Sequence, residues 1–186
     1  DELVFSNLFK YIFDSDPNTF SEFVRQVLEI KDFSNDFRVL REKANIDLLI
    51  LDKNNAIVIE NKIKSSINGI CKRHDIGNKL IQSQLYDYCE YVEKNYKDKD
   101  KKSYFIFAPN YNHIRLENYE CGKNYKLIEF RKIFDFFDKN KDSYKNVKYF
   151  NKFLFALQKH TKTKDSSHEE IMYKRFVEAI YKTKKK

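Results

Sequence analysis

Two carboxylates and a lysine interrupt the two most apolar stretches in the first half of the chain. Asp47 lies in the run IDLLIL (46–51), and Glu60 and Lys62 end the run AIVIENK (56–62). A charge among such apolar neighbours is costly unless it is paired or binds a metal. Carboxylate oxygens are ligands that Mg²⁺ and Mn²⁺ prefer, and a nearby lysine can approach a substrate bound to that metal. These residue types therefore indicate a metal-dependent catalytic site.

The two apolar runs have the composition of β-strands, and the polar residues 52–55 between them favour a turn. A β-hairpin with a two-residue turn at 53–54 or a four-residue loop at 52–55 places Asp47 opposite Glu60. Side chains alternate along a strand, so Glu60 and Lys62 share one face. All three charged side chains are therefore expected to converge. The alternative is a surface hairpin whose charges only face water, which the apolar neighbours disfavour.

With this arrangement, the chain resembles the PD-(D/E)xK nuclease superfamily. Asp47 and the segment Glu60–Lys62 match its carboxylate and lysine motif, and the segment Gln84–Tyr88 is similar to the QxxxY element of its RecB-like members. Ile46 stands where the family pattern has a proline. The resemblance covers about the first 130 residues. It implies an α/β fold with a central mixed β-sheet flanked by helices, the restriction-endonuclease-like core.

The resemblance also implies metal-dependent hydrolysis of phosphodiester bonds in DNA. Asp47 and Glu60 would bind Mg²⁺ or Mn²⁺, which polarises the scissile phosphate and lowers the pKa of a bound water. Lys62 would orient that water or stabilise charge on the phosphoryl oxygens. Gln84 and Tyr88 would position the substrate backbone. A role in host defence follows from the resemblance alone, and the alternative is an inactive nuclease-like module that binds nucleic acid or a protein partner.

The glutamine and the tyrosine lie on a helix that is predicted from about 78 to 96. Two glutamine–tyrosine pairs on this helix could match the family motif. Gln84 and Tyr88 are an i, i+4 pair beside the apolar stripe of this helix. Gln82 and Tyr86 form a second such pair one step round the helix. The family motif favours the first pair, and the sequence alone leaves the second open.

The first helix supplies a candidate for a third metal-binding carboxylate. A subgroup of the same family opens with a helix that carries a glutamate, a serine or threonine four positions later, an apolar run and an Asp-Pro turn. Glu2, Ser6 and the pair Asp16–Pro17 resemble this pattern. The alternative is that Glu2 only complements the helix dipole. Glu22 is a second candidate, although its place in a capping box at 19–22 gives it a structural reason to exist.

The remaining apolar periodicity predicts a single domain over residues 1–186, with a core at about 1–140 and a C-terminal helical extension at about 141–186. The family resemblance implies that this domain is nuclease-like. Two helices and a strand precede the hairpin, and two strands and a helix follow the glutamine–tyrosine helix. These elements are predicted at 1–13, from Thr19, at 37–42, 103–109, 126–130 and 131–140. Two more amphipathic helices, rich in lysine and tyrosine, are predicted for the extension.

Charge and cysteine content limit the partners and the compartment. A net charge of +8 fits a polyanionic partner such as nucleic acid, although a lysine-rich surface without such a partner is the alternative. Cys71, Cys89 and Cys121 lack zinc-site spacing and are odd in number, which favours a reducing cytoplasm. No apolar run approaches membrane-spanning length and no signal peptide is recognisable, so no membrane partner is expected. A homodimer is compatible with the sequence.

Overall fold

The computed structural model describes residues 2–70 and 82–161. Its elements run along the chain as two helices, five strands, a helix, two strands and two helices. They are α1 (Glu2–Ser15), α2 (Pro17–Gln26), β1 (Arg38–Lys43), β2 (Ile46–Leu51), β3 (Asn55–Asn61), β4 (Gly69–Ile70), β5 (Gln82–Ser83), α3 (Gln84–Asn95), β6 (Lys101–Ala108), β7 (Tyr125–Glu129), α4 (Phe130–Lys139) and α5 (Phe150–Lys159). The predicted order of two helices, three strands, a helix, two strands and further helices is confirmed for the longer elements, whereas the two-residue strands β4 and β5 were not predicted.

Five of these strands form one mixed sheet in the order β1-β2-β3-β6-β7. The pairs β1–β2 and β2–β3 are antiparallel, and the pairs β3–β6 and β6–β7 are parallel. A parallel connection needs a long crossover, which here contains α3 between β3 and β6. The predicted α/β class with a mixed sheet flanked by helices is confirmed.

The hairpin of β2 and β3 has the predicted register. Leu48 pairs with Ile59, and the next three pairs follow in step. The turn is fixed by Asp52, whose Oδ1 accepts hydrogen bonds from the backbone N–H groups of Asn54 at 2.8 Å and Asn55 at 2.5 Å. Such side-chain caps are the reason that Asp and Asn favour turns.

Apolar side chains cover both faces of the sheet. Helices α1, α2, α4 and α5 pack on one face, against Ile57 and Ile59 of β3, and α3 packs on the other, against Ala56 and Val58. All seven residues of β3 are buried, including Glu60. The two-sided burial explains why β2 and β3 are nearly continuous apolar runs, and it rules out the surface hairpin considered as the alternative.

Helix α2 begins before the predicted capping box. Asp16 is the N-cap residue, and its side chain accepts a hydrogen bond from the backbone N–H of Thr19 at 3.1 Å. Pro17 fits the first helical position because no backbone N–H is needed there. The predicted start at Thr19 was therefore wrong. Glu22 is exposed and its carboxylate binds Arg25 and Gln26, so it has no cap role and lies on the outside of the helix.

Helix α3 begins later than predicted. Residues 82 and 83 pair with β4, and Ser83 caps the helix by accepting a hydrogen bond from the backbone N–H of Leu85. The predicted helix was therefore wrong at residues 82–83, and its first four residues, 78–81, lie outside the described residues. Of the two helices predicted for the C-terminal extension, α5 is confirmed, and the second lies beyond residue 161. Within the described ranges, no helix is both long enough and apolar enough to cross a membrane.

Candidate active site

The three predicted charged residues come together at the C-terminal end of β3. Asp47 is the second residue of β2, and its Oδ2 accepts a hydrogen bond from the backbone N–H of Asn61 at 2.8 Å. Glu60 is the sixth residue of β3, and Lys62 follows the strand directly. The Nζ atom of Lys62 lies 2.9 Å from Oε1 of Glu60. The hairpin register thus produces the convergence that the sequence predicts.

Glu60 is buried, and its two carboxylate oxygens have different surroundings. Oε1 accepts hydrogen bonds from Lys62 and from Nε2 of Gln84 at 2.6 Å. Oε2 is buried and has no hydrogen-bond partner among residues 2–70 and 82–161. Burial and the negative charge of Asp47 raise the pKa of Glu60 to about 7, although Lys62 and Gln84 lower it in part. A buried carboxylate with an unpartnered oxygen is an unfavourable arrangement unless a proton or a cation binds there.

Asp47 is half-buried and shares this electrostatic environment. Burial raises its pKa above the ordinary value, while the backbone N–H of Asn61 and the charge of Lys62 lower it in part. Among the described residues, the site therefore holds two carboxylates that repel each other and one ammonium group, that of Lys62. Perturbed groups of this kind are typical of functional sites.

The backbone of Lys62 is fixed from the neighbouring strand and from the following loop. Its N–H donates to the carbonyl of Phe107 in β6 at 2.8 Å. Its carbonyl accepts a hydrogen bond from Nδ2 of Asn112 at 3.1 Å, and the same amide reaches the carbonyl of Ser65. These contacts hold the lysine stem after the strand has ended, so that its ammonium stays beside Glu60.

Gln84 and Tyr88 lie on the side of α3 that faces the site. Gln84 binds Glu60 through Nε2, and its Oε1 accepts a hydrogen bond from the backbone N–H of Asn68 at 3.1 Å. The hydroxyl of Tyr88 donates to the carbonyl of Asn45 at 2.6 Å, in the turn before Asp47. Burial raises the pKa of Tyr88, as do the charges of Glu60 and Asp47. The predicted substrate contacts of both residues stay predictions.

In the described structure, neither residue of the competing glutamine–tyrosine pair forms a hydrogen bond with Asp47 or Glu60. Gln82 belongs to the short strand β5, and the hydroxyl of Tyr86 donates to Glu90 at 3.1 Å. The register question that the sequence left open is therefore answered in favour of Gln84 and Tyr88.

Glu2 reaches the loop that follows Lys62. One carboxylate oxygen accepts hydrogen bonds from the backbone N–H groups of Ile63 at 2.7 Å and of Lys64 and Ser65 at 3.3 Å, and from the Ser65 hydroxyl. Burial alone would raise the pKa of Glu2, but these hydrogen bonds and Lys62 lower it overall. Among the described residues, no three His, Cys, Asp or Glu side chains form a metal-binding group. Glu2 thus does not complete a three-carboxylate cluster here, and its role as a metal ligand stays a prediction.

Asn61 is a residue of the site that the sequence reasoning passed over. Its backbone binds Asp47, and its fully buried side chain points to the other face of the sheet, where Nδ2 donates to Oγ of Ser6 at 2.9 Å. This contact ties α1 to the end of β3. An amide in line with Ile57 and Ile59 on an apolar face was the signal that could have revealed it. Asn112 carried no such signal, because its contacts depend on the path of a loop.

Comparisons of the chain with protein-family models, with curated proteins and with solved structures find no match. The functional assignment therefore rests on the residues of the site and on their geometry.

Proposed function

We propose that this chain is a PD-(D/E)xK-type nuclease that hydrolyses phosphodiester bonds in DNA with Mg²⁺ or Mn²⁺. The observation that carries the proposal is the Oε2 atom of Glu60, which is buried near a second carboxylate, Asp47, and has no hydrogen-bond partner in the part of the chain that the structure describes. The mixed sheet and its hairpin fit a restriction-endonuclease-like core. The family resemblance extends the proposal to host defence in the cytoplasm.

The donor set fits a hard divalent cation. Asp47 and Glu60 present carboxylate oxygens, the ligands that Mg²⁺ and Mn²⁺ prefer. A cation held by both would give Glu60 Oε2 its missing partner and would offset the repulsion between the two carboxylates. Such an ion supplies Lewis-acid polarisation of a phosphodiester and lowers the pKa of water.

Lys62 supplies the cationic group for the phosphate. Its ammonium is almost completely buried, where an electrostatic interaction is stronger than in water. Lys62 can donate to Glu60 and, through its other N–H groups, to a phosphate oxygen on which charge develops. The hydrogen bond from Gln84 to Oε1 of Glu60 restrains the carboxylate, and this also fixes the orientation of Oε2. Hydrogen bonds of this kind orient metal-binding groups in known sites.

The second candidate function is an inactive nuclease-like module that binds nucleic acid or a protein. The 2.9 Å ion pair between Lys62 and Glu60 favours it, because this pair satisfies one carboxylate oxygen without any metal. The net charge of +8 is compatible with both functions. Only a test of cleavage separates them.

The test is incubation of the purified protein with circular DNA, linear DNA and RNA, each with Mg²⁺, with Mn²⁺ and with EDTA. We expect metal-dependent cleavage of DNA that is lost in Asp47→Asn and in Glu60→Gln. The matched control is Asp87→Asn, which makes the same chemical change at an exposed position of α3. Unchanged cleavage by both site variants would overturn the proposed site, and binding of nucleic acid without cleavage under any condition would favour the second candidate.

A further inference from the structure

Large aromatic side chains are exposed on the outer surface of α1 and α5. Tyr11 is 41% exposed, Tyr149 46% and Phe155 57%, and the rings of Tyr11 and Tyr149 lie 6.2 Å apart across the two helices. The inward-facing sides of the same helices carry other, buried rings, such as those of Phe9 and Phe153, whose centroids are 5.2 Å apart. Exposed rings that lie together, as those of Tyr11 and Tyr149 do, are characteristic of interaction surfaces.

Lysine ammonium groups lie over two of these rings. The Nζ atoms of Lys148 and Lys152 are 4.9 Å and 5.5 Å from the ring centroid of Tyr149, and Nζ of Lys159 is 4.5 Å from that of Phe155. These are cation–π distances. In the part of the chain that the structure describes, no carboxylate forms an ion pair with Lys148 or Lys152. The two ammonium groups therefore offer positive charge to an external anion.

The backbone at Tyr149 is also unusual. Its φ of 70° lies in the left-handed region, which is costly for a residue with a bulky side chain. Glycine or asparagine would adopt this conformation at the helix N-cap more easily. Strained residues persist where surrounding structure or function requires the side chain. Here the strain places a tyrosine ring between two lysines and Tyr11.

Contacts at the other end of the two helices reach the loop that follows Lys62. The ring of His160, at the end of α5, lies 5.4 Å from that of Phe5 in the first turns of α1. In the same part of α1, Glu2 binds the segment 63–65 directly after Lys62. A linear ligand lying along the two helices would thus run toward the loop at residues 63–65, which follows Lys62 at the end of β3.

We infer that this aromatic–lysine surface, formed by Tyr11, Lys148, Tyr149, Lys152, Phe155 and Lys159, binds single-stranded nucleic acid. Exposed rings can stack on bases only where the bases are unpaired, and ammonium groups beside the rings can neutralise the phosphates between them. This combination favours a single strand over a duplex, whose bases are already stacked. If the chain is the proposed nuclease, single-stranded nucleic acid would be its substrate class. Binding at this surface does not depend on that function, because it requires no cleavage.

The test measures binding in EDTA, so that hydrolysis plays no part. Fluorescence anisotropy compares a labelled oligo(dT) of about 20 nucleotides with a duplex of the same length. Phe155→Ala and Tyr11→Ala should each weaken single-strand binding by about fivefold or more, since stacking contributes strongly for each base. Leu127→Ala is the matched control, because Leu127 is 40% exposed on β7, away from these helices.

The lysines are tested by salt dependence. The double variant Lys148→Gln/Lys152→Gln should reduce the slope of log affinity against log salt by about 0.7 for each phosphate that is no longer neutralised. Lys139→Gln, at the exposed end of α4, removes the same charge elsewhere and should leave the slope unchanged.

Several results would overturn the inference. Equal affinity for the single strand and the duplex, or unchanged binding by the Phe155 and double lysine variants, would show that the surface has another role. A large fall in the melting temperature of Phe155→Ala would show that the ring packs against another part of the chain. A change of oligomeric state without a change of binding would indicate a second copy as the occupant. Glu60→Gln should bind the single strand normally, so loss of cleavage alone concerns the proposed function and not this surface.

Discussion

The Nζ atom of Lys62 lies 2.9 Å from Oε1 of Glu60, and the two side chains are only 5% and 6% exposed. Such a buried pair is a weak source of stability, because the desolvation of both charges offsets their attraction. Asp47 adds a second negative charge to the same site. The described charges of the site therefore sum to a net negative value, which a bound cation would balance.

This imbalance predicts an unusual dependence of stability on pH. The pKa of Glu60 is raised from 4.5 to about 7 in the folded chain, so the folded state binds a proton more tightly than the unfolded state. Proton binding by Glu60 therefore adds to the free energy of unfolding. This contribution is fully present below pH 4.5 and is lost as the pH rises through 7. Between pH 5 and pH 8 in EDTA, the wild type should lose about 2.5 kcal/mol of unfolding free energy relative to Glu60→Gln.

The measurement is urea unfolding of both proteins at several pH values. Saturating Mg²⁺ should remove most of this pH dependence from the wild type, because a bound cation stabilises the ionised carboxylate. Asp87→Asn should follow the wild type throughout. Parallel curves for wild type and Glu60→Gln would show that Glu60 does not titrate in this range.

The sequence could predict the hairpin because its signals are local. The apolar runs of β2 and β3 and the Asp52 turn between them specify the register, and the register alone brings Asp47 to Glu60. The same local rules misplaced the start of α2, because Thr19–Glu22 matches a capping box while Asp16 and Pro17 offer a better cap one turn earlier.

Contacts between segments that are distant in the sequence could not be predicted from local sequence patterns. The bond between Asn61 and Ser6 and the bonds from the Glu2 carboxylate to residues 63–65 join positions more than 50 residues apart. The strand pairing at residues 82–83 likewise depends on β4, which no local signal predicted. The sequence thus indicated which charged residues come together at the end of β3, while the contacts that support them depend on the fold.

A second prediction uses the two glutamines that competed for the site. Gln84 binds Glu60, and Gln82 belongs to β5. Gln84→Ala should lower Mn²⁺ affinity or cleavage by about 10- to 100-fold, the usual effect of removing a group that orients a metal ligand. Gln82→Ala is the matched control and should leave both unchanged. Titration of Mn²⁺ by calorimetry would check this, and equal effects of the two substitutions would exclude a specific role for Gln84.

A third prediction separates two roles for Glu2. If its carboxylate acts only by binding the N–H groups of residues 63–65, Glu2→Gln should destabilise the fold by about 1.5 to 3 kcal/mol, as expected for bonds to a charged acceptor. Because the pKa of Glu2 is lowered, this loss should be present at neutral pH and should vanish as the pH falls through its folded pKa. Mn²⁺ affinity should change less than about threefold, within the range of an indirect effect. A tenfold or larger loss of Mn²⁺ affinity would instead identify Glu2 as a third ligand.

The fourth prediction concerns Lys62, where charge and shape can be separated. Lys62→Met keeps the volume and apolar contacts of the stem and removes the ammonium group. Loss of one well-placed donor to the transition state lowers turnover by about 10² to 10³ fold, or roughly 2.7 to 4 kcal/mol. We expect this fall in the turnover number with little change in the affinity for DNA.

The burial of the pair adds a consequence for stability. Removing one partner of a buried ion pair costs about 3 kcal/mol or more, because the remaining charge is left unpaired. Lys62→Met should therefore be destabilised in EDTA at pH 8, where Glu60 is ionised, and less so at pH 5, where it binds a proton. The double variant Glu60→Gln/Lys62→Met should recover most of the loss, since it leaves no unpaired charge at these two positions. Cleavage assays in Mg²⁺ and unfolding curves in EDTA, each with both variants, check the two parts independently. A Lys62→Met protein that folds, binds Mn²⁺ normally and cleaves DNA at the wild-type rate would remove Lys62 from the catalytic set, and would leave the buried pair with a structural role only.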